Sequence, residues 1–526
     1  MANANAIPMV PEAATQARWK TWLQYAVVGS LTVFFLYITL VMYAQGEMLY
    51  GTMILVFTAL FAFVFLSNRA YVWRYVFPGL VGVTVFVIFP IMYTLGLTFT
   101  NKSNLHLLSF AQSKAYFLQQ TYVAEGSHKF DLDLYLDADS DGYFLALEDE
   151  AGNMYMTDEA VDMTHLEAIV VKASSILMEP ALESAPRNAT ITYRNELSNV
   201  KIELPNGTVL AKSKLREYAE QYPLWQADET DPYKIVNQKD GIVLTADMDE
   251  GFFFDSEGSY FTPGFQTNVG FDNYVRVLTE DGMFAPFLQI FTWTMFFAIF
   301  TVVFTFFLGM MIASFVQWEP IKFRGLYQVL LILPYAVPSF ILIMIFRALF
   351  NQNFGQINHV LELLFNIAPS WNADPNMSRM MILMVNLFMG YPYMFILSLG
   401  MLQSIPKDLY EASSLEGAGP ITNFFKITFP LVLRPMLPLL IASFAFNFNN
   451  FVLIQLLTRG EPIIIGSSPQ AGETDLLVNY AFRLAFMGDT QDFALGATVS
   501  TFIFMMVGIF AIAYLKAAKI EVGIKK

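Results

Sequence analysis

The chain has 526 residues, of which 55% are hydrophobic and 14% are charged, and its formal net charge is −15. A soluble domain carries roughly 25% charged residues, so this composition indicates a membrane protein. The absence of cysteine excludes disulfides, thiol chemistry and Cys-based metal sites, and the acidic balance gives no reason to expect a nucleic-acid partner.

Eight apolar stretches are long enough to cross a membrane, because about 30 Å of hydrocarbon takes roughly 20 helical residues. They run approximately over residues 22–44, 51–67, 76–99, 286–316, 325–349, 380–402, 434–457 and 493–516. The first stretch is longer than the apolar core of a signal peptide, and we interpret it as a retained anchor. The sequence therefore predicts an all-α membrane bundle of about eight transmembrane helices.

Lys and Arg in the short loops predict the orientation, because cytoplasmic loops are enriched in both residues. If each span crosses the membrane once, the following basic residues all lie on the same side of it: Arg18, Lys20, Arg69, Arg74, Lys322, Arg324, Lys407, Lys426, Arg434, Lys516, Lys519, Lys525 and Lys526. Both termini are thus expected to be cytoplasmic. The segment 100–285 and the links 351–378 and 458–492 are expected on the opposite side.

The segment 100–285 holds most of the acidity, since residues 101–285 carry 31 Asp and Glu against 13 Lys and Arg. Short alternating runs, such as residues 191–193 and 201–204, predict strands, and residues 205–207 and 240–241 predict turns. We expect three parts: residues 1–99 with the tail and the first three spans, a mainly β extracytoplasmic domain over 100–285, and a core membrane domain over 286–526.

One acidic pattern in this segment has the spacing of a twelve-residue calcium loop. Its members are Asp137, Asp139, Asp141, Gly142 and Glu148. The flanking residues 130–135 and 143–147 alternate like strands, so a hairpin with an acidic turn is the simpler interpretation. Calcium binding is left as a hypothesis. The four histidines have no metal-ligand spacing.

The cytoplasmic loop 405–430, between the sixth and seventh spans, predicts two short helices. Pro406 suits a helix start and Gly417 a helix end, and a second helix over 421–429 is expected to stop at Pro430. A rigid surface helix of this kind can lie in a groove on a partner protein. An ordinary amphipathic loop is the alternative.

The order of residues in this loop resembles the EAA signature of ABC-importer permeases, the binding-protein-dependent transport permease family. The matching residues are Glu411, Ala412, Ser413, Gly417, Ile427, Thr428, Phe429 and Pro430, of which Ser413 and Phe429 are mild departures. Residues 331–340, 390–393 and 441–458 further resemble the larger permease subunits of maltose/maltodextrin importers. The likeness covers nearly the whole membrane part, whereas 100–285 matches in position and size but hardly in sequence.

This resemblance implies a permease subunit that translocates maltose and maltodextrins across the bacterial inner membrane, with 100–285 in the periplasm. It implies a second permease subunit, a cytoplasmic ATPase dimer contacted at Glu411, Ala412 and Gly417, and an extracytoplasmic sugar-binding protein, all assembled in membrane lipid. The chain contains no Gly-Lys dipeptide and hence no P-loop, so no cofactor is expected here, and ATP with Mg is expected on the partner ATPase. No pattern supports an enzyme.

The resemblance also implies a sugar site at mid-membrane. Its candidate residues are Ser339, Asn386, Met389, Gly390, Tyr393, Phe446, Asn447 and Asn450; Met389 stands where the family pattern has another aliphatic residue. The residue types suit a neutral sugar, which offers hydroxyls to amides and apolar faces to aromatic rings. Asn447 and Asn450 are expected on one helix face, and hydrogen bonding between helices is the alternative role for them.

Pro334 and Pro338 in the fifth span and Pro392 in the sixth are expected to interrupt their helices near mid-membrane, as in many transporters. Two other functions remain open from the sequence. In the first, the chain is a permease for another oligosaccharide. In the second, it is a membrane sensor whose acidic domain binds a ligand. The short cytoplasmic segments argue against a sensor.

Overall fold

The computed structural model describes residues 12–45, 48–138, 140, 142–164, 168–186, 188–318, 320–488 and 491–517. Asp139 and Asp141 of the acidic turn, and Lys519, Lys525 and Lys526 near the C-terminus, lie outside the described residues. The chain divides into two compact units, Met1–Gly96 and Leu97–Lys526.

The first unit is helical. Its helices are α1 (Glu12–Ala44), α2 (Met48–Leu66), α3 (Trp73–Val83) and α4 (Phe89–Leu97), of which α3 and α4 join through a π-helical turn over Thr84–Ile88. Phenylalanine rings hold α1, α2 and α3 together: Phe35 meets Phe57 edge-on at 5.3 Å between ring centroids, and Phe65 meets Phe77 at 5.7 Å. Such edge-to-face pairs add to apolar burial.

The segment after α4 is mainly β, as the sequence predicts. Its elements are α5 (Phe110–Leu118), β1 (Thr121–Tyr122), β2 (Lys129–Leu136), β3 (Tyr143–Asp149), β4 (Met154–Thr157), β5 (Ile169–Ile176), α6 (Ala189–Thr192), α7 (Arg194–Asn199), β6 (Val200–Glu203), β7 (Val209–Lys214), β8 (Glu217–Glu220), β9 (Tyr222–Pro223), β10 (Trp225–Ala227), β11 (Lys234–Asn237), β12 (Val243–Asp247), β13 (Phe252–Phe254) and β14 (Tyr260–Phe261).

Strands β2 to β8 close into a barrel, β10 to β14 form a five-stranded antiparallel sheet, and β1 pairs with β9. All barrel neighbours are antiparallel except β5 and β6, which are parallel and joined through α6 and α7. The barrel core is centred on Leu145, Ile202 and Tyr218, and the sheet buries Phe253 and Phe265 against α5. Both cores consist entirely of residues from this segment.

Local expectations for the β segment are partly corrected. The alternation of residues 191–193 predicts a strand, but the structure has helix α6 up to Thr192, because this stretch belongs to the helical crossover between parallel strands β5 and β6. Strand β6 and the turn at Gly207, which has φ +84, match the prediction. Strands β2 and β3 form the expected hairpin, in which Leu136 pairs with Tyr143 and Asp131 pairs with Glu148.

The membrane core follows α8 (Asp272–Thr279). It contains α9 (Asp281–Gln317), α10 (Arg324–Ile332), α11 (Ser339–Leu349), α12 (Gln356–Phe365), α13 (Pro375–Gln403), α14 (Asp408–Leu415), α15 (Pro420–Asn423), α16 (Phe429–Phe448), α17 (Phe451–Leu457), α18 (Leu477–Phe486) and α19 (Phe493–Ala517). Helix α9 has 37 residues and is the central helix, contributing to three apolar clusters that also hold α13, α16, α18 and α19.

Six helices among the described residues are long and apolar enough to cross a membrane, or seven if a bent pair counts as one span. They are Trp22–Ala44, Trp73–Leu97, Asp281–Gln317, Pro375–Gln403, Pro420–Phe448 and Phe493–Ile512, with Arg324–Ala336 and Ser339–Leu349 as the pair. The place of the predicted second span is taken by the shorter apolar helix Tyr50–Leu66. The chain is thus a multi-span α-helical membrane protein that carries a β-rich domain.

The prolines have unequal effects. The fifth span bends by 88° where Leu333–Ala336 forms a 3₁₀ turn and Pro338 starts α11, so the interruption expected from Pro334 and Pro338 is confirmed. The expectation for Pro392 is wrong, because α13 continues through it. A single proline removes one backbone hydrogen bond, which a long, well-packed helix can tolerate within a membrane bundle.

Two predicted boundaries in the seventh span are also wrong. The second short helix does not stop at Pro430, since a π-helical turn over Phe424–Thr428 leads directly into α16, with Pro430 in its first turn, where proline is tolerated. The span then ends at Phe448 instead of residue 457. Asn450 caps α17, so two helices stand where the sequence predicts one continuous helix.

The link 458–492 is a folded element and more than the short loop that the sequence suggests. Helix α18 packs its buried residues against α9 and α19. Asp475, which is 1% exposed, forms an ion pair with Arg483 at 3.0 Å, and Arg379 pairs with Glu473 at 2.8 Å. The buried Asp475 carboxylate requires such a partner, because an unpaired charge in the protein interior is strongly destabilising.

Candidate functional site

Three asparagines from three separate helices meet inside the membrane core. Asn386 lies on α13, Asn447 near the end of α16, and Asn450 at the start of α17. Asn386 and Asn447 are 5% and 6% exposed. Asn386 Nδ2 donates to Asn447 Oδ1 at 2.9 Å, and Asn450 Nδ2 donates to Asn386 Oδ1 at 3.4 Å. The structure therefore brings together the three amides that the sequence singles out.

The sequence predicts that Asn447 and Asn450 share one helix face. They do not, because α16 ends between them. They converge instead on Asn386. The break at Asn450 makes this possible: its side-chain oxygen caps α17 by accepting from the Leu453 N–H, which leaves its Nδ2 for Asn386.

The hydrogen bonds form a continuous series that we call the amide chain (Ser443, Asn447, Asn386, Asn450 and Leu453). A backbone group at each end of this series fixes the direction of its hydrogen bonds. Asn447 Nδ2 donates to the Ser443 carbonyl at 2.9 Å, and the Leu453 N–H donates to Asn450 Oδ1 at 3.4 Å. A carbonyl only accepts and an N–H only donates. Flipping any one amide would therefore set two donors or two acceptors against each other.

Two hydroxyl residues that sequence reasoning missed complete this cluster. Asn386 Nδ2 also donates to Thr301 Oγ1 of α9 at 3.1 Å, and Ser443 contributes its carbonyl and its hydroxyl to Asn447. Threonine and serine are common on all these helices, and no spacing distinguishes Thr301 from its neighbours. Only the packing of α9 against α13 identifies it.

The remaining candidates on α13 extend the face that begins at Asn386. Gly390 and Tyr393 follow it by four and seven residues, which places them on one side of the helix. A Cβ at Gly390 would lie 2.8 Å from Thr305 Cγ2, so this glycine allows α9 and α13 to approach closely. Met389 is partly buried against the cluster around Trp293 and Phe297. Tyr393 is 38% exposed at the end of this face.

Ser339 and Phe446 are exposed. Ser339 is the first residue of α11, directly after the bend of the fifth span, and Phe446 is 73% exposed beside the buried Asn447. Among the residues that the structure describes, no hydrogen bond joins Ser339 or Tyr393 to the amide chain. The site on this chain alone is thus a buried amide cluster with aromatic and hydroxyl side chains displayed next to it.

This arrangement can exchange hydrogen bonds with a polyhydroxylated ligand. Inside hydrocarbon an unpaired amide costs several kcal/mol, so the asparagines satisfy one another when nothing else does. Asn386 Oδ1 and Asn450 Nδ2 share a long 3.4 Å bond and retain further acceptor and donor capacity. They are the groups a hydroxyl can approach at the least cost.

A second candidate site is the 405–430 loop. Asp408 and Glu411 lie in the first turn of α14, where a helix favours negative charge, and Gly417, with φ +81, ends the following turn. Tyr410 and Thr428 share a hydrogen bond of 2.9 Å between their hydroxyls, which ties α14 to the helix that continues into α16. This bond joins α14 to the helix that carries Asn447.

The exposed face of this loop carries both acidic and large apolar side chains. Glu411, Ala412 and Gly417 are exposed, and Leu415 and Ile421 are 91% and 76% exposed. Isolated exposed apolar residues are ordinary, but here two large ones lie on either side of Gly417 and form an exposed apolar patch. Such a surface suits a groove on another protein.

Metal binding at the acidic turn finds no geometric support. Glu148 is in β3 opposite Asp131, several residues from the turn, where a bidentate calcium ligand is not in reach. No group of three or more His, Asp or Glu side chains suited to a metal occurs among the described residues. Asp139 and Asp141 are outside them.

Comparison with known proteins gives matches along most of the chain. Residues 22–69 match the model described as MalF, N-terminal region, transmembrane helices; residues 108–270 match the maltose transport system permease protein MalF P2 domain; and residues 305–520 match the binding-protein-dependent transport system inner membrane component.

Curated relatives extend the likeness over nearly the full length. The maltose/maltodextrin transport system permease protein MalF of Vibrio parahaemolyticus is 42% identical over 97% of this chain and 97% of its own length. The proteins of the same name from Yersinia pestis and Escherichia coli K12 are each 42% identical over 95% of this chain, and over 94% and 97% of their own lengths.

Proposed function

The chain belongs to the MalF family of maltose/maltodextrin transport system permease proteins, and on that premise we propose that it conducts maltose and maltodextrins through the bacterial inner membrane as one subunit of an ABC importer. Relatives of this family are permeases, and the subunit's role is accordingly conduction and coupling. ATP hydrolysis belongs to a partner ATPase dimer, which holds the ATP and Mg.

The observation that carries the proposal is the convergence of Asn386, Asn447 and Asn450 from three helices at a break in the seventh span. Helix breaks and polar groups at mid-membrane are typical of transporter binding sites. The cluster offers amides and hydroxyls but no ionised group, which matches a neutral sugar and disfavours ions or charged solutes as cargo.

We place the sugar beside the amide chain, with its hydroxyls on Asn386, Asn447 and Asn450 and its apolar face on Phe446 or Tyr393. Met389 and Gly390 shape the wall along α13, and Ser339 supplies a hydroxyl from the start of α11. A second permease subunit closes the site on its open side, because Phe446 and Tyr393 are exposed on this chain alone.

Coupling is assigned to the 405–430 loop. Closure of the ATPase dimer on ATP would move α14 through contacts at Glu411, Ala412 and Gly417, and the Tyr410–Thr428 hydrogen bond would pass this movement to α16. The permease pair would then open outward to accept sugar from an extracytoplasmic binding protein. ATP must favour one of two arrangements for this cycle to run.

The same proposal includes the orientation. Both termini and the 405–430 loop are cytoplasmic, and the β-rich domain is periplasmic. A permease for another oligosaccharide remains the second candidate, because the amides do not specify the number of rings or the linkage. A sensor is not favoured, since no described cytoplasmic element is large enough to serve as an output domain.

Uptake by cells tests this proposal. A strain that lacks its own maltose permease and expresses this chain with its partner subunits should accumulate labelled maltose and maltotriose. Competition with unlabelled oligosaccharides of other linkages ranks the substrates. Uptake of another oligosaccharide without uptake of maltose would transfer the function to the second candidate, and uptake of neither would contradict both.

A further inference from the structure

We propose that Thr301 on α9 is a positioning residue for the sugar site, which it serves by orienting the amide of Asn386. This inference rests on the proposed function. It concerns a residue on the fourth span, whereas the candidate residues from the sequence lie on the fifth, sixth and seventh. Thr301 is 3% exposed and faces α13 near the middle of the long helix α9.

The hydroxyl of Thr301 is used differently from that of its neighbour Thr305. Thr305 donates to the Thr301 carbonyl of its own helix at 2.6 Å, which is the ordinary use of threonine within a helix. Thr301 Oγ1 instead accepts from Asn386 Nδ2 on another helix at 3.1 Å. It is therefore a contact between the fourth and sixth spans at the level of the amides.

Asn386 has two amide hydrogens and both are engaged. One points to Asn447 Oδ1 and the other to Thr301 Oγ1. Two acceptors on different sides fix the plane of the amide, and the Asn386 oxygen is then directed toward Asn450. Thr301 thus determines where the Asn386 oxygen is available to a sugar hydroxyl.

Removal of this acceptor leaves one N–H of Asn386 without a partner in a buried setting, where the penalty is large enough to reorient the amide. Rotation of Asn386 would disturb its bonds to Asn447 and Asn450 together, because the amide chain has only one consistent direction. The expected defect is misplacement of the sugar and not loss of the fold.

The test compares variants of Thr301 in the assembled complex, reconstituted in liposomes with its ATPase and binding protein. Thr301→Val keeps the shape and removes the acceptor, and we expect its rate of maltose transport per ATP hydrolysed to fall roughly 2- to 10-fold. Thr301→Ser retains the hydroxyl and should transport within about 2-fold of the original protein. Assembly and basal ATP hydrolysis should stay unchanged in both.

Thr305→Val is the matched control, because it removes an equally buried hydroxyl that bonds only within its own helix, and it should transport normally. If Thr301→Val does not assemble, Thr301→Ser and Thr301→Ala, which differ by one hydroxyl, decide the matter. Equal transport by Ser and Ala, normal transport by Thr301→Val, or an equal loss in Thr305→Val would each overturn the proposal. A structural defect would lower assembly, ATP hydrolysis and transport together.

Asn386→Ala, measured in parallel, separates this inference from the proposed function. Normal transport by Asn386→Ala would reject the proposed sugar site itself. Loss of transport in Asn386→Ala, together with normal transport in Thr301→Val, would leave the site intact and reject only the role of Thr301.

Discussion

At the scale of single residues, the sequence identifies the amides but not how they are used. Three asparagines within apolar stretches are conspicuous because each is costly in hydrocarbon. The direction of the hydrogen bonds between these amides, by contrast, is set by the Ser443 carbonyl and the Leu453 N–H. Backbone groups of this kind occur in nearly every residue, so the sequence does not mark them. The two interpretations of Asn447, sugar contact and hydrogen bonding between helices, are therefore compatible, since the amide that bonds another helix also retains acceptor capacity.

Asn450 has two roles that substitutions can separate. It caps α17, and it donates a hydrogen bond to Asn386. Asn450→Ser keeps an oxygen for the cap and loses the amide donor, so maltose transport should fall while the cap on α17 is retained. Asn450→Ala loses the cap as well, which costs roughly 0.5–2 kcal/mol of stability. Its melting temperature should fall below that of the serine variant.

Thermal unfolding and uptake of the two variants, side by side, check this expectation. Identical melting temperatures would refute the capping role. Full transport by both variants would remove Asn450 from the proposed sugar site.

At the scale of elements, apolar length predicts which segments are helical but not where they break. The bend at Pro334 and Pro338 is predictable, because two prolines four residues apart each lack the N–H that a helix needs. The end of α16 at Phe448 is not, since no proline or glycine marks it; the Asn450 cap produces it. The sequence also does not show which glycines lie at close contacts between helices. A Cβ at Gly309 would lie 2.6 Å from the Phe395 nitrogen, whereas a Cβ at Gly400 would meet nothing within 4 Å.

The 405–430 loop gives a prediction at this scale. Gly417→Val places a β-branched residue at φ +81, a backbone conformation that such residues rarely adopt, and should displace the apolar surface at Leu415. We expect maltose uptake to be lost while the protein remains at its normal level in the membrane. Glu411→Lys should act similarly by reversing the charge on the exposed face.

Gly419→Ala is the control for the loop, because Gly419 has an ordinary φ of −81 and nothing within reach of an added Cβ. It should transport normally. Uptake by Gly417→Val and Glu411→Lys equal to that of the original protein would mean that the loop does not contact the ATPase.

At the scale of the whole molecule, a β domain is inserted in a helical membrane protein, and the sequence predicts this architecture from acidity and alternation. The crossover helices α6 and α7 are missed, because residues 191–193 alternate like a strand and only the parallel pairing of β5 and β6 requires a connection there. The fold of the link 458–492 is missed as well, since ion pairs such as Asp475–Arg483 have no signature in spacing.

The two apolar cores of the β domain predict that it folds by itself. Residues 105–275, expressed alone, should be soluble and unfold cooperatively on heating, with no effect of reductant because the chain has no cysteine. Because Glu148 lies in β3, millimolar calcium should leave the melting temperature of this fragment unchanged. A broad, non-cooperative transition would contradict the independent core, and a calcium-dependent rise would restore the calcium hypothesis.

The central claim is that the asparagine cluster conducts sugar. Its most direct test is maltose transport by the assembled complex, measured together with basal ATP hydrolysis, for Asn447→Ala and Phe446→Ala. Loss of the Asn447 amide leaves hydrogen-bonding groups unmatched at a cost of roughly 1–3 kcal/mol, or about 5- to 150-fold in affinity, and loss of Phe446 removes an apolar surface for the sugar. The account predicts strongly reduced transport by both variants with assembly and basal ATP hydrolysis retained, whereas unchanged transport by both would contradict it.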